Sequence, residues 1–161
     1  MTIMNHPFIV KLNYAFQDDK RLYMLLDYCP GGDLGQIMHK CKQMKEKYVK
    51  IYVAEIVLAL QCLHEHNIVY RDLKPENVVL DKDGHCLLTD FGLSKQGVSD
   101  NLSKSFCGSI AYMAPEILGR KGHNRTVDWY LLGVMMFELL TGRPPYYNPF
   151  KEKLFKNILT K

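Results

Sequence analysis

The run Tyr70-Arg71-Asp72-Leu73-Lys74-Pro75-Glu76-Asn77 places several chemically active side chains within one short span. Asp72 can accept a proton from an attacking hydroxyl. Lys74, two residues on, points the same way as Asp72 in an extended loop and can neutralise charge on a transferring phosphate. Asn77 offers an amide oxygen, and Asp90 in Asp90-Phe91-Gly92 offers a carboxylate. Both are hard ligands suited to Mg2+, which keeps several of its waters and needs few protein oxygens. Ala114-Pro115-Glu116 follows. Positioning and charge neutralisation without covalent help is what phosphoryl transfer asks of a protein. Singly, an Arg-Asp pair is ordinarily a surface ion pair, Asp-Phe-Gly a turn and Ala-Pro-Glu a helix start. The three in this order and at this spacing are specific to the transfer site.

The surrounding elements must bring Asn77 and Asp90 to one edge. Val78-Val79-Leu80 and Cys86-Leu87-Leu88 flank Asp81-Lys82-Asp83-Gly84, a hairpin signal that folds the chain back between the two ligands. Upstream, Phe8–Leu12 and Leu22–Leu26 read as strands joined by a turn at Gln17-Asp18-Asp19-Lys20. Pro30-Gly31-Gly32 breaks the chain, and Asp33 caps a short helix. Glu46 to His66 predicts a long helix, with Val49, Val53, Ile56, Leu60 and Leu63 on one face and Asn67 ending it in the left-handed conformation. Residues 93–113 are polar and suit a mobile segment. Val127–Leu140 is apolar nearly all round and predicts a central buried helix, stopped by Thr141-Gly142-Arg143-Pro144-Pro145. An amphipathic helix from about Pro149 to Thr160 closes the chain. The fold class is α+β and mostly helical.

Composition sets the remaining bounds. The chain has 161 residues, is 47% hydrophobic and 24% charged, and carries a formal charge of +4, an ordinary globular balance. The lysines at 40, 42, 45, 47 and 50 read as a solvated helix face, so no nucleic-acid partner is expected. Five cysteines include no Cys-x-x-Cys pair, which fits reduced thiols in a cytosolic or nuclear setting. Trp129–Leu140 is interrupted by Glu138 and is shorter than the roughly 20 residues a membrane span requires.

On these motifs the chain resembles the eukaryotic protein kinases, and more narrowly the AGC group typified by protein kinases A, B and C. Asn5-His6-Pro7-Phe8-Ile9-Val10, Tyr28-Cys29-Pro30-Gly31-Gly32-Asp33, Phe106-Cys107-Gly108-Ser109 and Val127-Asp128-Trp129 carry the resemblance further. Lys74 after Asp72 marks a Ser/Thr kinase. The resemblance implies a kinase-like fold with a mostly helical large lobe, at residues 30–161, and a remnant of the small-lobe sheet with the hinge, at residues 1–29. It implies ATP and Mg2+ as cofactors, with Asp72, Lys74, Asn77 and Asp90 catalytic and Asn77 and Asp90 holding the metal. Leu26 would be the gatekeeper, backbone groups of Asp27 and Cys29 would bind adenine, Asp33 the ribose, and Val79 would floor the base. Glu76 and Thr89 would complete the nucleotide site. Leu12, Tyr70 and Phe91 would stack in the regulatory spine, and Asp128 would anchor the catalytic-loop backbone.

The resemblance also implies protein substrates with Ser/Thr acceptors and an upstream activating kinase. Ser105 would take the activating phosphate, meeting Arg71 and Lys95. Ser109 would contact the catalytic Asp72. Asp33, Glu76 and Glu138 match positions that receive basic residues upstream of the acceptor. Ile110-Ala111 replaces the Pro-Glu usual after Ser109, removing one carboxylate from that set. No Gly-x-Gly-x-x-Gly occurs, and Lys11 lies too close to Tyr28 to be the ATP lysine. The expectation is of an incomplete domain, without its first strands and last helices. It serves as the centre of an active kinase or, alternatively, as a non-catalytic module that competes for kinase partners.

Overall fold

A computed structural model describes residues 4–97, 110–120 and 122–160. Two strands, β1 (Leu12–Gln17) and β2 (Leu22–Leu26), form an antiparallel hairpin. The turn is built as expected, with Asp18 Oδ1 accepting from the Lys20 and Arg21 amides, each at 2.7 Å. The first strand lies further along than the apolar run Phe8–Leu12 predicts. Ile9 and Val10 are buried against the hairpin beyond Asn77 instead, Val10 N donating to Leu88 O at 2.9 Å and Leu88 N to Phe8 O at 2.9 Å. Burial of these two apolar residues outweighs extending the strand through them.

Helix α1 (Leu34–Cys41) is capped by Asp33, whose Oδ1 accepts from Gln36 N at 2.8 Å. Helix α2 (Glu46–Glu65) places Val49, Ile56, Leu60 and Leu63 in the core, and Asn67 leaves it at φ 56°. Then come β3 (Ile68–Val69), a 3-10 turn at Pro75–Asn77, β4 (Val78–Leu80), β5 (Cys86–Leu88) and β6 (Lys95–Gln96). β4 and β5 pair antiparallel with Val79 opposite Leu87, giving the predicted hairpin, with Gly84 at φ 87° in its turn. The β3–β6 pairing sets Val69 against Lys95. Two-residue strands leave no alternation to read in the sequence. After a 3-10 turn at Ile110–Tyr112 come α3 (Pro115–Leu118), α4 (Thr126–Thr141) and α5 (Lys151–Thr160).

The core gathers Ala59, Leu60 and Leu63 of α2, Tyr70, Leu73, Val78 and Leu88, and Met135 and Leu139 of α4. α4 does not bury its whole circumference as its composition predicts. It packs on α2 through one side, whereas Trp129, Met136 and Phe137 are 40%, 41% and 44% exposed. Apolar composition registers hydrophobicity but not how many neighbours surround a helix. No helix among the described residues is long and apolar enough to cross a membrane.

The chain at Gly31-Gly32 is stitched to β4. Gly31 N donates to Leu80 O at 3.0 Å, and Leu80 N donates to Gly32 O at 2.8 Å. A Cβ on Gly31 would stand 2.5 Å from Leu80 Cβ and 2.9 Å from its carbonyl oxygen. Gly31→Ala is expected to cost about 1–3 kcal/mol. A urea midpoint unchanged from the parent would refute that close approach.

Candidate active site

The 70–77 loop is held from below by one carboxylate. Asp128, fully buried near the start of α4, accepts from Tyr70 N through Oδ2 at 2.9 Å and from Arg71 N through Oδ1 at 2.8 Å. His64, near the end of α2, donates Nε2–H to Oδ2 at 2.7 Å. The loop turns sharply here, with Arg71 at φ 69°. The anchoring contacts are therefore those the resemblance implies for Asp128.

Above this anchor Asp72 is nearly buried, at 6% exposure. Its Oδ2 receives Lys74 Nζ at 2.9 Å and Asn77 Nδ2 at 2.8 Å. Asn77 Nδ2 also donates to Asp72 O at 2.8 Å. These bonds fix the rotamer of Asp72 and leave its Oδ1 without a donor among the described residues. They also commit the amide nitrogen of Asn77, so that its oxygen is the end left to meet a cation. Thr89 joins the second expected ligand to the first. Its N–H donates to Asn77 O at 3.0 Å, and its carbonyl accepts the Tyr70 hydroxyl. The next residue, Asp90, is exposed at φ 53° and accepts from Gly92 N at 3.1 Å. An amide oxygen and a carboxylate oxygen make a donor set that fits Mg2+.

Three carboxylates act on the Tyr70 hydroxyl. Burial first, then the carboxylates of Asp72, Asp90 and Asp128, push the Tyr70 hydroxyl well above its ordinary range, so it stays a neutral donor. Tyr70 and Phe91 meet edge to face with centroids 5.4 Å apart, while Leu12 sits in β1.

The residues that the resemblance assigns to the nucleotide begin at the end of β2. Asp27 N donates to Lys11 O at 3.1 Å, and its carboxylate accepts from Asn13 Nδ2 at 2.8 Å. Among the described residues the Asp27 carbonyl meets only the Cys29 thiol, at 4.0 Å, and the Cys29 N–H makes no bond. Leu26 is exposed. Asp33 forms a bridge with Val79, bringing the expected ribose and base-floor positions side by side. Both Asp33 oxygens are engaged by Gln36, at 2.8 Å from its N–H and 2.6 Å from its side-chain amide. The helix cap thus shares the group expected for ribose.

The acids expected to meet a basic substrate also converge. Glu76 and Glu138 line one cleft of about 770 Å³, and Glu76 and Asp33 line an adjoining one. On the other side of the loop, Arg71 Nε donates to Leu93 O at 2.7 Å. Lys95 lies opposite Val69, two residues before Arg71. Both cations act on His123, whose imidazole is pushed down first by burial and next by Arg71. His123 is 2% exposed, and its Nε2 has no partner among the described residues. A lone histidine between Gly122 and Asn124 gives no sequence signal for this placement. Ser105 and Ser109 lie outside the described residues.

Asp128→Ala strands two backbone N–H donors and His64 at once. It is expected to cost at least about 3 kcal/mol and to speed amide exchange at Tyr70 and Arg71. Protection at those two amides equal to the parent's would show that the carboxylate is not the anchor.

The protein kinase domain family matches residues 1–161. The chain is 52% identical over 157 residues to ribosomal protein S6 kinase alpha-6 of Danio rerio. It is 50% identical to ribosomal protein S6 kinase alpha-2 and 48% identical to ribosomal protein S6 kinase alpha-1, both of Homo sapiens. Each match covers 97% of this chain and 21% of the relative, so the chain spans about a fifth of the length of these proteins. The chain belongs to the protein kinase family, in its AGC serine/threonine branch.

Proposed function

We propose that this chain forms the catalytic centre of a kinase that transfers the γ-phosphate of ATP to Ser/Thr of protein substrates with basic residues upstream of the acceptor. The observation that carries this is the Asp72 carboxylate, locked by Lys74 and Asn77 on a loop pinned by Asp128. Asp72 Oδ1 is the atom that takes the proton of the attacking hydroxyl. Lys74, held 2.9 Å from Asp72, is placed to balance charge on the phosphate in transit. Asn77 and Asp90 would hold Mg2+, which when bound offsets phosphate charge. The backbone of Asp27 and Cys29, with Asp33 and Val79, would seat the nucleoside; Glu76 and Thr89 shape the floor between nucleotide and substrate. Asp33, Glu76 and Glu138 supply the negative surface that favours a basic peptide. The free cysteines 29, 41, 62 and 86 suit a reducing compartment, cytosol or nucleus.

The same reading makes Ser105 the target of an upstream kinase, its phosphate drawn to the Arg71–Lys95 side of the loop. Arg71 is continuous with the Asp72 backbone, so a charge gained there bears directly on the catalytic loop.

Two outcomes are expected in the natural gene product. Asp72→Ala and Asp90→Ala should each lower kcat at least about 100-fold with an unchanged thermal midpoint. Turnover near the parent's in either variant would remove that residue from the site. Ser105→Ala should lower activity and make it unresponsive to phosphatase treatment; activity equal to the parent's before and after treatment would exclude Ser105 as the switch.

A further inference from the structure

The cleft of about 770 Å³ is lined by residues of α1, the Pro75–Asn77 turn and the C-terminal end of α4, Glu76 and Glu138 among them. α4 ends one turn beyond Glu138 at Gly142, φ 87°, where Gly142 N donates to Glu138 O at 2.7 Å. A Cβ on Gly142 would stand 2.6 Å from Lys42 O, and Met44 N donates to Leu139 O at 2.7 Å. The helix end is therefore clamped on the α1–α2 connection, and Glu138 cannot swing away from the cleft by moving its backbone. Its Oε2 is buried without a hydrogen-bond partner among the described residues. Such an oxygen is costly as an anion and asks for either a proton or a cation.

The groups facing it leave that demand unmet. His39 and Cys41 come from α1, Lys42 from the α1–α2 connection, Glu76 from the 75–77 turn and Arg143 from the segment after α4. Burial and then the Glu76 carboxylate raise the Glu138 carboxyl to about 7, and neither Lys42 nor Arg143 pulls it back down. At neutral pH the acid is divided between its two forms.

We propose that a cationic side chain of the substrate, on entering this cleft, displaces a proton from Glu138, so that recognition of a basic residue is coupled to proton release. This rests on the basic-substrate part of the function proposed above. A guanidinium binds a carboxylate through two parallel N–H bonds and needs the ionised acid. Binding therefore draws Glu138 into the charged form, and the released proton goes to solvent. By linkage, affinity for a basic peptide rises with pH up to and through the carboxyl's midpoint, then levels off.

The test is calorimetric titration of the natural gene product with two serine peptides, one carrying arginine upstream and the other norleucine at the same place. Buffers of different ionisation enthalpy report protons released. The arginine peptide should release about half a proton at pH 7 and bind roughly tenfold more tightly at pH 8 than at pH 6. The norleucine peptide should do neither. In Glu138→Gln the release should vanish. Tighter binding of the arginine peptide with no buffer dependence and no pH dependence would overturn the proton coupling and leave the basic preference standing. Equal affinity for the two peptides would overturn the basic preference itself. Release persisting in Glu138→Gln would overturn the assignment to Glu138. The pH series on the parent protein decides the coupling even if that variant does not fold.

Discussion

A single buried carboxylate holds this structure's chemistry in place. Asp128 sits at no exposure and would be prohibitive there as an isolated anion. Three convergent donors, two of them consecutive backbone amides, offset that cost. The result ties the end of α2, the start of α4 and the 70–77 loop to one point. Everything above it is built on this contact: the lock on Asp72 by Lys74 and Asn77, the Thr89 bridge to Asp90, and the edge-to-face packing of Tyr70 on Phe91. The apolar length of α4 makes the anchor rigid, because the helix is fixed by the core through Val127, Leu131, Met135 and Leu139.

The same helix contributes at both ends. Asp128 stabilises the loop from below, and Glu138 faces the cleft more than two turns later. One acid is saturated with donors; the other has an oxygen with none among the described residues. Buried carboxylates with opposite degrees of satisfaction serve different ends. The first gives a fixed geometry, and the second leaves an oxygen open to the basic substrate residue proposed above. The Glu55 carboxylate belongs to the first kind, receiving Cys86 N at 2.9 Å and His85 Nδ1 at 2.6 Å, and so joins α2 to the β4–β5 hairpin.

Much of this was legible in the sequence where side-chain chemistry and local period agree. The Asp-x-Lys-x-x-Asn spacing, the Asp-Gly hairpin, the cap at Asp33, the left-handed Asn67 and the apolar face of α2 all reappear in the structure. The misses share a cause: they depend on partners distant in sequence. The run Phe8–Leu12 is equally apolar whether it pairs with β2 or settles against β5, and only the β4–β5 hairpin decides the matter. β3 and β6 are two residues each and exist because they find one another. His123 is buried beside Arg71 and Lys95 by tertiary packing that no local pattern announces. The cleft acids were named one by one from resemblance; that Glu138 lacks a partner could be seen only in three dimensions.

Arg71 and Asp90 have a consequence for how the loop can change. Both are held with positive φ, at 69° and 53°, in a backbone region where side chains with a Cβ are strained by about 1 kcal/mol or more each. Glycine would relieve that strain at either place and would lose the guanidinium or the carboxylate. On the function proposed above, the two positions are therefore points where a mutation would improve folding while removing function. Selection for stability alone would drift toward an inert, well-folded loop. On that reading, a chain that retains Arg71 and Asp90 keeps the strain for the sake of the two side chains.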